Sequence, residues 1–292
     1  MFSNIIFKYY QLKYSLRWLF KKKQSVVINA VFAIRGHSLL SNNWGDDINY
    51  ILPQLIASKG CIPYTILFDC IRKRVETNIM CVGSVIPWLV NSKSIVWGSG
   101  VVDDTLPLNT VPLKVLSVRG PLTREYLLRH NVECPEVYGD PALLFPKYYQ
   151  PNVTPKYKLG IIPHVVDLNK IKLSEFEDIG QVQIINISDY KRDWRFFIDK
   201  INECETIISS SLHGLIISEA YQIPSLWVKW SDDIIGGDFK YNDFYLSIGK
   251  RDVTPLDLRN SSWKKEDMAQ LLKSWTPGYI NLNPMLENCP FK

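Results

Sequence analysis

One stretch, Thr206 to Trp230, limits what this 292-residue chain can fold into more than any other. Its apolar start, Ile207-Ile208, predicts the end of a buried strand. The nearly unbroken apolar segment from Leu215 to Tyr221 predicts a helix buried on most sides, and Leu226 to Trp230 predicts another strand. Strand, helix and strand in this order form the unit of a parallel sheet, so the stretch indicates an α/β fold.

The turn between that strand and helix carries candidate binding residues: Ser210, Ser211, His213 and Gly214. A helix N-terminus offers N–H groups and the positive end of a dipole to an anion. Ligands of open α/β sheets bind at the carboxyl ends of strands, which is where this turn is expected. Serines here also commonly act as helix caps, and a lone histidine is commonly structural, so the turn alone leaves both interpretations open.

Composition is that of a globular protein with real cores, at 46% hydrophobic and 22% charged residues. The net charge of +5 is mild and partly resides in the first 23 residues, so we do not infer nucleic-acid binding. The six cysteines include no CxxC pair and predict reduced thiols of a cytoplasmic protein, with neither disulfides nor a metal site. No apolar run is long enough to span a bilayer.

A Pro- and Tyr-rich segment, Pro146 to Pro155, predicts a boundary between an α/β domain over 24–150 and a second one over 151–292. The last helix could pack back on the first domain. Residues 1–23 combine aromatic and aliphatic side chains with lysines and lack a secretion-signal pattern. They predict an amphipathic helix on an anionic membrane surface, with an ordinary helix packed on the domain as the alternative.

Within the first domain, Ser25 to Ala33 predicts a buried strand. Asp46 is a suitable N-cap for a helix from Asp47 to Ser58, closed by Gly60. Pro53 inside this helix predicts a kink or an early break.

Arg119 lies between a strand predicted over Lys114 to Val118 and a helix predicted from Pro121 to His130. Its guanidinium could form a fork on a phosphate or carboxylate, and pairing with a nearby acid is an equal alternative. Asp140 is expected in a turn before an apolar run.

The second half repeats the alternation, with a strand over Lys158 to Ile162 that ends at Pro163-His164 and another over Gln181 to Ile187. Val166 to Asp178 is charged and predicts a surface segment. Further helices are predicted over Trp194–Cys204, Phe239–Ile248 and Lys264–Trp275.

Taken together and in order, several motifs resemble the polysaccharide pyruvyl transferase family, closest to its capsule or exopolysaccharide branch. The match covers roughly residues 26 to 250, and the motifs are specific only as a set. They are Asn43-Trp44-Gly45-Asp46, Trp97-Gly98-Ser99-Gly100, Val118 to Thr123, Gly139-Asp140-Pro141-Ala142, Pro163-His164, and Ser210 to Gly214 continuing through Glu219-Ala220 to Ile223-Pro224.

The resemblance implies two Rossmann-like domains facing a cleft, as in GT-B glycosyltransferases. It also implies transfer of pyruvate from phosphoenolpyruvate, as a cyclic ketal, onto a sugar of a surface-polysaccharide precursor, without a cofactor. The partners would be phosphoenolpyruvate and a saccharide acceptor. Membrane contact by residues 1–23 would favour a lipid-linked acceptor and a place at the inner face of the membrane.

That chemistry needs an acid, a base and anion contacts. On the matched motifs, His213 would protonate the methylene carbon of the donor or contact its phosphate. His164 would be a second acid/base or a donor ligand, and Arg119 would hold the donor's anionic groups. Asp46 and Asp140 would orient or deprotonate the acceptor hydroxyl, although a plain cap or turn role is the favoured alternative for both aspartates.

The remaining candidate binding residues are Asn43, Ser210, Ser211, Gly214, Lys229 and Glu219. Family members commonly carry an arginine where this chain has Ser211, and Arg119 or Lys229 could compensate. Glu219 resembles an acid that contacts the donor in GT-B enzymes, but a buried helix can also hold it as a paired structural acid.

Two other functions remain open from the sequence. A GT-B glycosyltransferase would share the fold and hold a nucleotide diphosphate at the helix start near Ser211. A non-catalytic carbohydrate-binding member of a polysaccharide assembly complex would retain the fold without turnover. The extended set of Arg119 and Asp46 motifs favours pyruvyl transfer, whereas Ser211 in place of the usual arginine supports the non-catalytic alternative.

Overall fold

The computed structural model describes residues 2–35, 38–39, 43–190, 193–260 and 262–291. The chain divides into two compact units: unit 1 comprises Met1–Pro141 and Asn281–Lys292, and unit 2 comprises Ala142–Ile280. Each contains a five-stranded sheet whose strands are all parallel. The predicted α/β class with two parallel-sheet domains is therefore confirmed.

The strands, in chain order, are β1 (Ser25–Ile28), β2 (Ile34–Arg35), β3 (Ser38–Leu39), β4 (Gly60–Pro63), β5 (Asn78–Met80), β6 (Ser94–Trp97), β7 (Lys114–Ser117), β8 (Tyr157–Ile162), β9 (Val182–Ile184), β10 (Cys204–Ser209), β11 (Ser225–Lys229) and β12 (Leu256–Asp257). The sheet of unit 1 has the order β4-β1-β5-β6-β7, and that of unit 2 has the order β12-β11-β10-β8-β9. β2 and β3 form a separate antiparallel pair.

The α-helices are α1 (Phe2–Lys21), α2 (Trp44–Ala57), α3 (Asp69–Arg72), α4 (Ile86–Leu89), α5 (Pro121–Arg129), α6 (Phe145–Tyr148), α7 (Trp194–Asn202), α8 (Leu212–Ala220), α9 (Phe239–Ser247), α10 (Lys265–Ser274) and α11 (Asn283–Glu287). Helix α5 begins at Pro121 as predicted, because proline suits the first helical position. Helix α8 is buried almost throughout, as its apolar sequence predicts. No helix in the described parts of the chain is long and apolar enough to cross a membrane.

The start and end of α2 differ from the prediction. The helix begins at Trp44, and the side chain of Asn43 caps it by accepting a 3.1 Å hydrogen bond from the Gly45 amide. The prediction that Asp46 is the N-cap is therefore wrong; Asp46 lies in the first turn, where a carboxylate favours the helix dipole.

At its other end, α2 continues through Pro53 without a break to Ala57. Ser58 then adopts a left-handed conformation with φ of 53°, and its amide donates to the Gln54 carbonyl. Gly60 does not close the helix but begins β4. Likewise, the strand predicted over Ser25 to Ala33 is only four residues long.

Helix α1 contributes to the core of unit 1. Tyr10, Tyr14 and Trp18 are spaced four residues apart, lie on one face and are buried. They share a hydrophobic cluster with Ile62, which lies in β4, and with Ile66. The packed-helix interpretation of residues 1–23 therefore describes one face of this helix.

Candidate functional site

In unit 2, the ends of β8 and β10 bring two predicted site residues together. Ser209 and Ile162 are register partners in these neighbouring strands, so the residues that follow both strands meet at one edge of the sheet. The Ser210 amide donates to the Ile162 carbonyl over 3.2 Å. The His164 amide in turn donates to the Ser210 hydroxyl oxygen over 2.9 Å.

Ser210 has its polar groups engaged within the protein. Its hydroxyl accepts from His164 and donates to Oδ2 of Asp167 over 2.7 Å, and its carbonyl accepts a 2.6 Å bond from the Tyr241 hydroxyl. The side chain is fully buried. Ser210 therefore fixes the backbone at His164, which is a positioning role rather than an open contact for a ligand.

Asp167 organises this edge, although no sequence motif singled it out. The fully buried carboxylate accepts from Ser210 and, at 2.5 Å, from the Ser231 hydroxyl that follows β11. Its own amide closes a turn onto the His164 carbonyl at 2.8 Å. The prediction placed Asp167 in a charged surface segment; a signal for its role is its position three residues after the Pro163-His164 motif.

His164 is held largely in its neutral form. Burial, together with the positive charge of Lys240, lowers its pKa from 6.5 to about 4, and the charge of Asp167 opposes the shift. The Val166 amide approaches Nδ1 at 3.4 Å, which assigns the ring proton of the neutral form to Nε2. Near neutral pH, His164 can thus donate a hydrogen bond without carrying a charge.

Ser211 occupies the N-cap position of α8, but its side chain makes no capping hydrogen bond. Its amide donates to the Ser209 hydroxyl oxygen over 2.9 Å. His213 lies in the first turn of the helix and is partly buried. The interpretation of Ser211 as a side-chain cap is therefore wrong. The backbone at this position does begin a helix, as predicted.

Close packing explains why position 214 is a glycine. A Cβ atom at this position would lie 2.5 Å from the Ser209 hydroxyl oxygen and 2.9 Å from a methyl carbon of Ile162. Both neighbours are fully buried, so they have little room to move. Glycine is what lets α8 begin directly against β8 and β10.

Lys229 and Glu219 both form ion pairs within unit 2. Lys229 lies 2.6 Å from Asp238. Glu219 is buried and pairs with Lys250, while one of its oxygens also accepts from Nε1 of Trp275 at 3.1 Å. It lies eight residues beyond Ser211, about 12 Å along the helix axis. These contacts support the interpretation of Glu219 as a paired structural acid.

In unit 1, Arg119 lies beneath the glycine loop that follows β6. Its side chain is only 1% exposed, Nη2 donates to the Val101 carbonyl over 2.7 Å, and Nη1 donates to the Ser84 hydroxyl. A Cβ atom at Gly100 would lie 2.4 Å from Cζ of Arg119. The guanidinium therefore braces the loops after β5 and β6, and glycine at position 100 lets the backbone pass over it.

The same two loops are joined by further hydrogen bonds. The Ser99 hydroxyl donates to the Gly83 carbonyl over 2.8 Å, and the Gly100 amide donates to it over 3.0 Å. From α2, the fully buried Asn49 amide group exchanges bonds of 3.0 and 3.1 Å with the backbone of Val82. Asn49 and Ser84 are organising residues that sequence reasoning missed, because their partners are distant in the chain.

The two predicted aspartates differ in exposure. Asp46 is partly exposed and lies near Gly83, whose φ is +109°. A Cβ atom added at Gly83 would be 3.9 Å from Oδ1 of Asp46. Asp140 is buried. Its charge acts on the Cys81 thiol, whose pKa is raised mainly by burial and further by the charge of Asp140. Among the residues that the structure describes, no group of three or more histidines, cysteines or acids is placed to hold a metal ion.

Comparison with known proteins identifies a family and two relatives. A family model described as polysaccharide pyruvyl transferase matches residues 28–232, more than half of the chain. The chain is 26% identical over 217 residues to an uncharacterised protein of Acanthamoeba polyphaga mimivirus, covering 70% of each. It is 28% identical over 216 residues to the succinoglycan biosynthesis protein ExoV of Rhizobium meliloti (strain 1021), covering 71% of this chain and 62% of that protein.

Proposed function

The chain belongs to the polysaccharide pyruvyl transferase family, and from that premise we propose that it moves pyruvate from phosphoenolpyruvate onto a sugar of a surface-polysaccharide precursor as a cyclic ketal. The succinoglycan biosynthesis relative supports an exopolysaccharide acceptor. The observation that carries the proposal is the neutral His164 at the carboxyl edge of unit 2, fixed through Ser210 and Asp167 beside the start of α8.

The reaction begins with protonation of the donor's methylene carbon, which leaves the adjacent carbon electron-deficient. A sugar hydroxyl adds to that carbon and loses its proton to a base. Phosphate then leaves with the electrons of its C–O bond and takes up a proton, and a second hydroxyl adds and loses its proton to close the ketal. The protein must therefore bind a phosphate and a carboxylate, deliver one proton to the methylene carbon and one to the leaving phosphate, and accept one proton from each hydroxyl.

We assign the donor's anionic groups to the start of α8. Backbone N–H groups and the helix dipole favour an anion there. His164, neutral near pH 7, contributes an Nε2–H hydrogen bond without the cost of burying a second cation. Ser210, Asp167 and Gly214 hold this geometry without contacting the donor.

A cation is still needed because Ser211 stands where an arginine is expected. Lys240 is our candidate for this role. It is only 8% exposed, and its charge lowers the pKa of His164, which places it close to the imidazole. We therefore assign the missing positive charge to Lys240.

His213 is our proton donor, since it lies on the first turn of α8, next to the proposed anion site. Asp46, which is partly exposed, is our acid/base for the acceptor hydroxyl. Arg119 is buried under Gly100, so we give it a positioning role for the loops of unit 1 in place of a direct donor contact.

We further propose that the two units form a GT-B-like enzyme with the acceptor bound by unit 1, working in the cytoplasm. The GT-B-like proposal is supported by the two α/β units of the chain, each of which contains a parallel sheet. The six free cysteines support a reducing compartment. The acceptor we propose is a saccharide, in lipid-linked form if the enzyme binds membranes.

Donor binding can be tested by thermal shift. Phosphoenolpyruvate at about a hundred times its Kd should stabilise the native protein by about 2.7 kcal/mol, which raises Tm by several degrees. UDP and UDP-glucose should give no shift. The shift should fall in Lys240→Gln, whereas Lys273→Gln, on the exposed surface of α10, should behave as wild type.

Turnover separates binding from catalysis. With a polysaccharide-precursor acceptor, wild type should release phosphate from phosphoenolpyruvate, and His213→Gln should retain the thermal shift but lose at least about a hundredfold in rate. Stabilisation by UDP instead of phosphoenolpyruvate would contradict the proposal in favour of a glycosyltransferase. A donor that binds yet is never consumed with any acceptor would support a non-catalytic role.

A further inference from the structure

Helix α1 has two apolar faces, and only one of them is covered. Tyr10, Tyr14 and Trp18 point into unit 1. Large apolar side chains also occupy the opposite side, at spacings of three and four residues. This "α1 stripe" consists of Ile5, Tyr9, Leu12, Leu16 and Phe20.

The α1 stripe is exposed along its whole length. Exposure ranges from 43% at Leu16 to 80% at Phe20, and Leu19 beside them is also exposed. From Ile5 to Phe20 the stripe runs about 22 Å along the helix. A contiguous apolar surface of this kind marks an interaction site, because isolated exposed apolar residues need no explanation but a continuous row does.

The charge around the stripe has one sign. At 100° per residue, Lys8 and Lys13 flank the stripe on its two sides, and Lys21 to Lys23 follow its C-terminal end. No aspartate or glutamate occurs in the chain before Asp46. The complementary partner is therefore anionic as well as apolar.

A basic cavity adjoins the C-terminal end of α1. It has a volume of about 340 Å³ and lies at the amino ends of β1 and β5. Its lining includes four cations and one acid, namely Lys22, Lys23, Lys59, Arg74 and Glu76.

Aromatic contacts hold two of these cations in place. Nζ of Lys22 and Cζ of Arg74 lie 5.4 and 5.5 Å from the ring centre of Trp18, which itself lines the cavity. Buried Trp18 thereby links the helix to the cavity. In unit 1 this cavity is at the opposite sheet edge from Arg119 and Asp46, so it is separate from the residues assigned to the reaction.

We propose that the α1 stripe, with the lysines around it, docks the protein onto an anionic membrane surface. An amphipathic helix with an apolar face and flanking lysines lies in the plane of the interface, with its apolar side in the headgroup region. Anionic lipids attract Lys8 and Lys13 beside the stripe and Lys21 to Lys23 at its C-terminal end, and the basic cavity adds to the positive potential there. In this proposal α1 lies on the bilayer surface and does not cross it.

Vesicle co-sedimentation of the full chain tests the docking. Wild type should pellet with vesicles containing phosphatidylglycerol but not with pure phosphatidylcholine, and added salt should release it. Leu12→Glu/Leu16→Glu should weaken binding at least about tenfold. The control Leu272→Glu, an exposed leucine on α10, should bind as wild type does.

The electrostatic part has its own pair of variants. Lys22→Gln/Lys23→Gln should weaken binding at low salt about fivefold for each lysine. Lys172→Gln/Lys273→Gln removes the same charge from exposed sites in unit 2 and should have no effect. All four changed lysines are exposed, and an unchanged Tm confirms that each variant is folded.

Three results would overturn the proposal. They are no pelleting with anionic vesicles, equal pelleting with zwitterionic vesicles, and binding that the α1 variants do not weaken. In the first case, self-association that Leu12→Glu/Leu16→Glu abolishes would assign the stripe to a second copy of this chain.

Discussion

Ser210 and Asp167 show how single buried residues can fix the backbone where strands end. The Ser210 hydroxyl lies between the His164 amide and the Asp167 carboxylate, and Asp167 also holds Ser231. Residues that follow β8, β10 and β11 are thereby linked by hydrogen bonds around one buried carboxylate. Because burying a carboxylate is costly unless its oxygens accept hydrogen bonds, the two serine hydroxyls offset the cost of placing Asp167 there.

The lowered pKa of His164 makes stability depend on pH. Its folded pKa of about 4 lies below the ordinary 6.5, so between these values the unfolded chain binds more protons and stability falls as pH falls. From about pH 7 to pH 5 the loss should be about 2 kcal/mol. We expect His164→Gln to remove most of this loss, as measured by urea unfolding at both pH values.

Equal pH dependence in His164→Gln and wild type would show that the imidazole is not held neutral by its surroundings. The comparison uses the difference between two pH values, so a constant destabilisation by the substitution does not affect it.

At the scale of elements, the close contact of α8 with β8 and β10 sets the position of the proposed anion site. The N-terminus of α8 can reach the sheet edge only because position 214 has no side chain. The same device recurs in unit 1, where Gly100 passes over Arg119. In both units, a glycine of the matched family motifs is explained by contact within the protein.

Gly214→Ala should destabilise the protein by about 1–3 kcal/mol, although alanine is favoured over glycine in a helix by up to about 1 kcal/mol. The reason is the clash with Ser209 and Ile162, which are fully buried. Chemical denaturation measures the change. Ala269→Gly, at an exposed position within α10, measures the difference in helix propensity between alanine and glycine alone. Stabilisation by Gly214→Ala would refute the close packing.

At the scale of the whole molecule, the chain leaves unit 1 after Pro141 and returns to it at Asn281. The returning tail completes the core: Phe291 is fully buried, and its ring lies 5.1 Å from that of Trp97. Nε1 of Trp97 donates to the Met285 carbonyl over 2.8 Å. Unit 1 is therefore built from both ends of the chain.

Phe291→Ala should lower the stability of unit 1 by about 3–5 kcal/mol, because it leaves a cavity beside Trp97. Tyr279→Ala, which changes an aromatic residue that is 81% exposed, should stay within about 0.5 kcal/mol of wild type. Unfolding followed by tryptophan fluorescence measures both. If the two substitutions had equal effects, the tail would not be part of the core.

Local patterns determined much of this protein from its sequence. Apolar runs and their spacing predicted the α/β alternation and the buried α8, and Pro121 predicted the start of α5, because periodicity and proline geometry act within a few residues. The tertiary structure alone decided that Asp167 holds Ser210, that Arg119 lies beneath Gly100 and that Phe291 completes unit 1. These contacts join residues far apart in the chain, where no local pattern reports which partner satisfies a buried charge or fills a gap in the core.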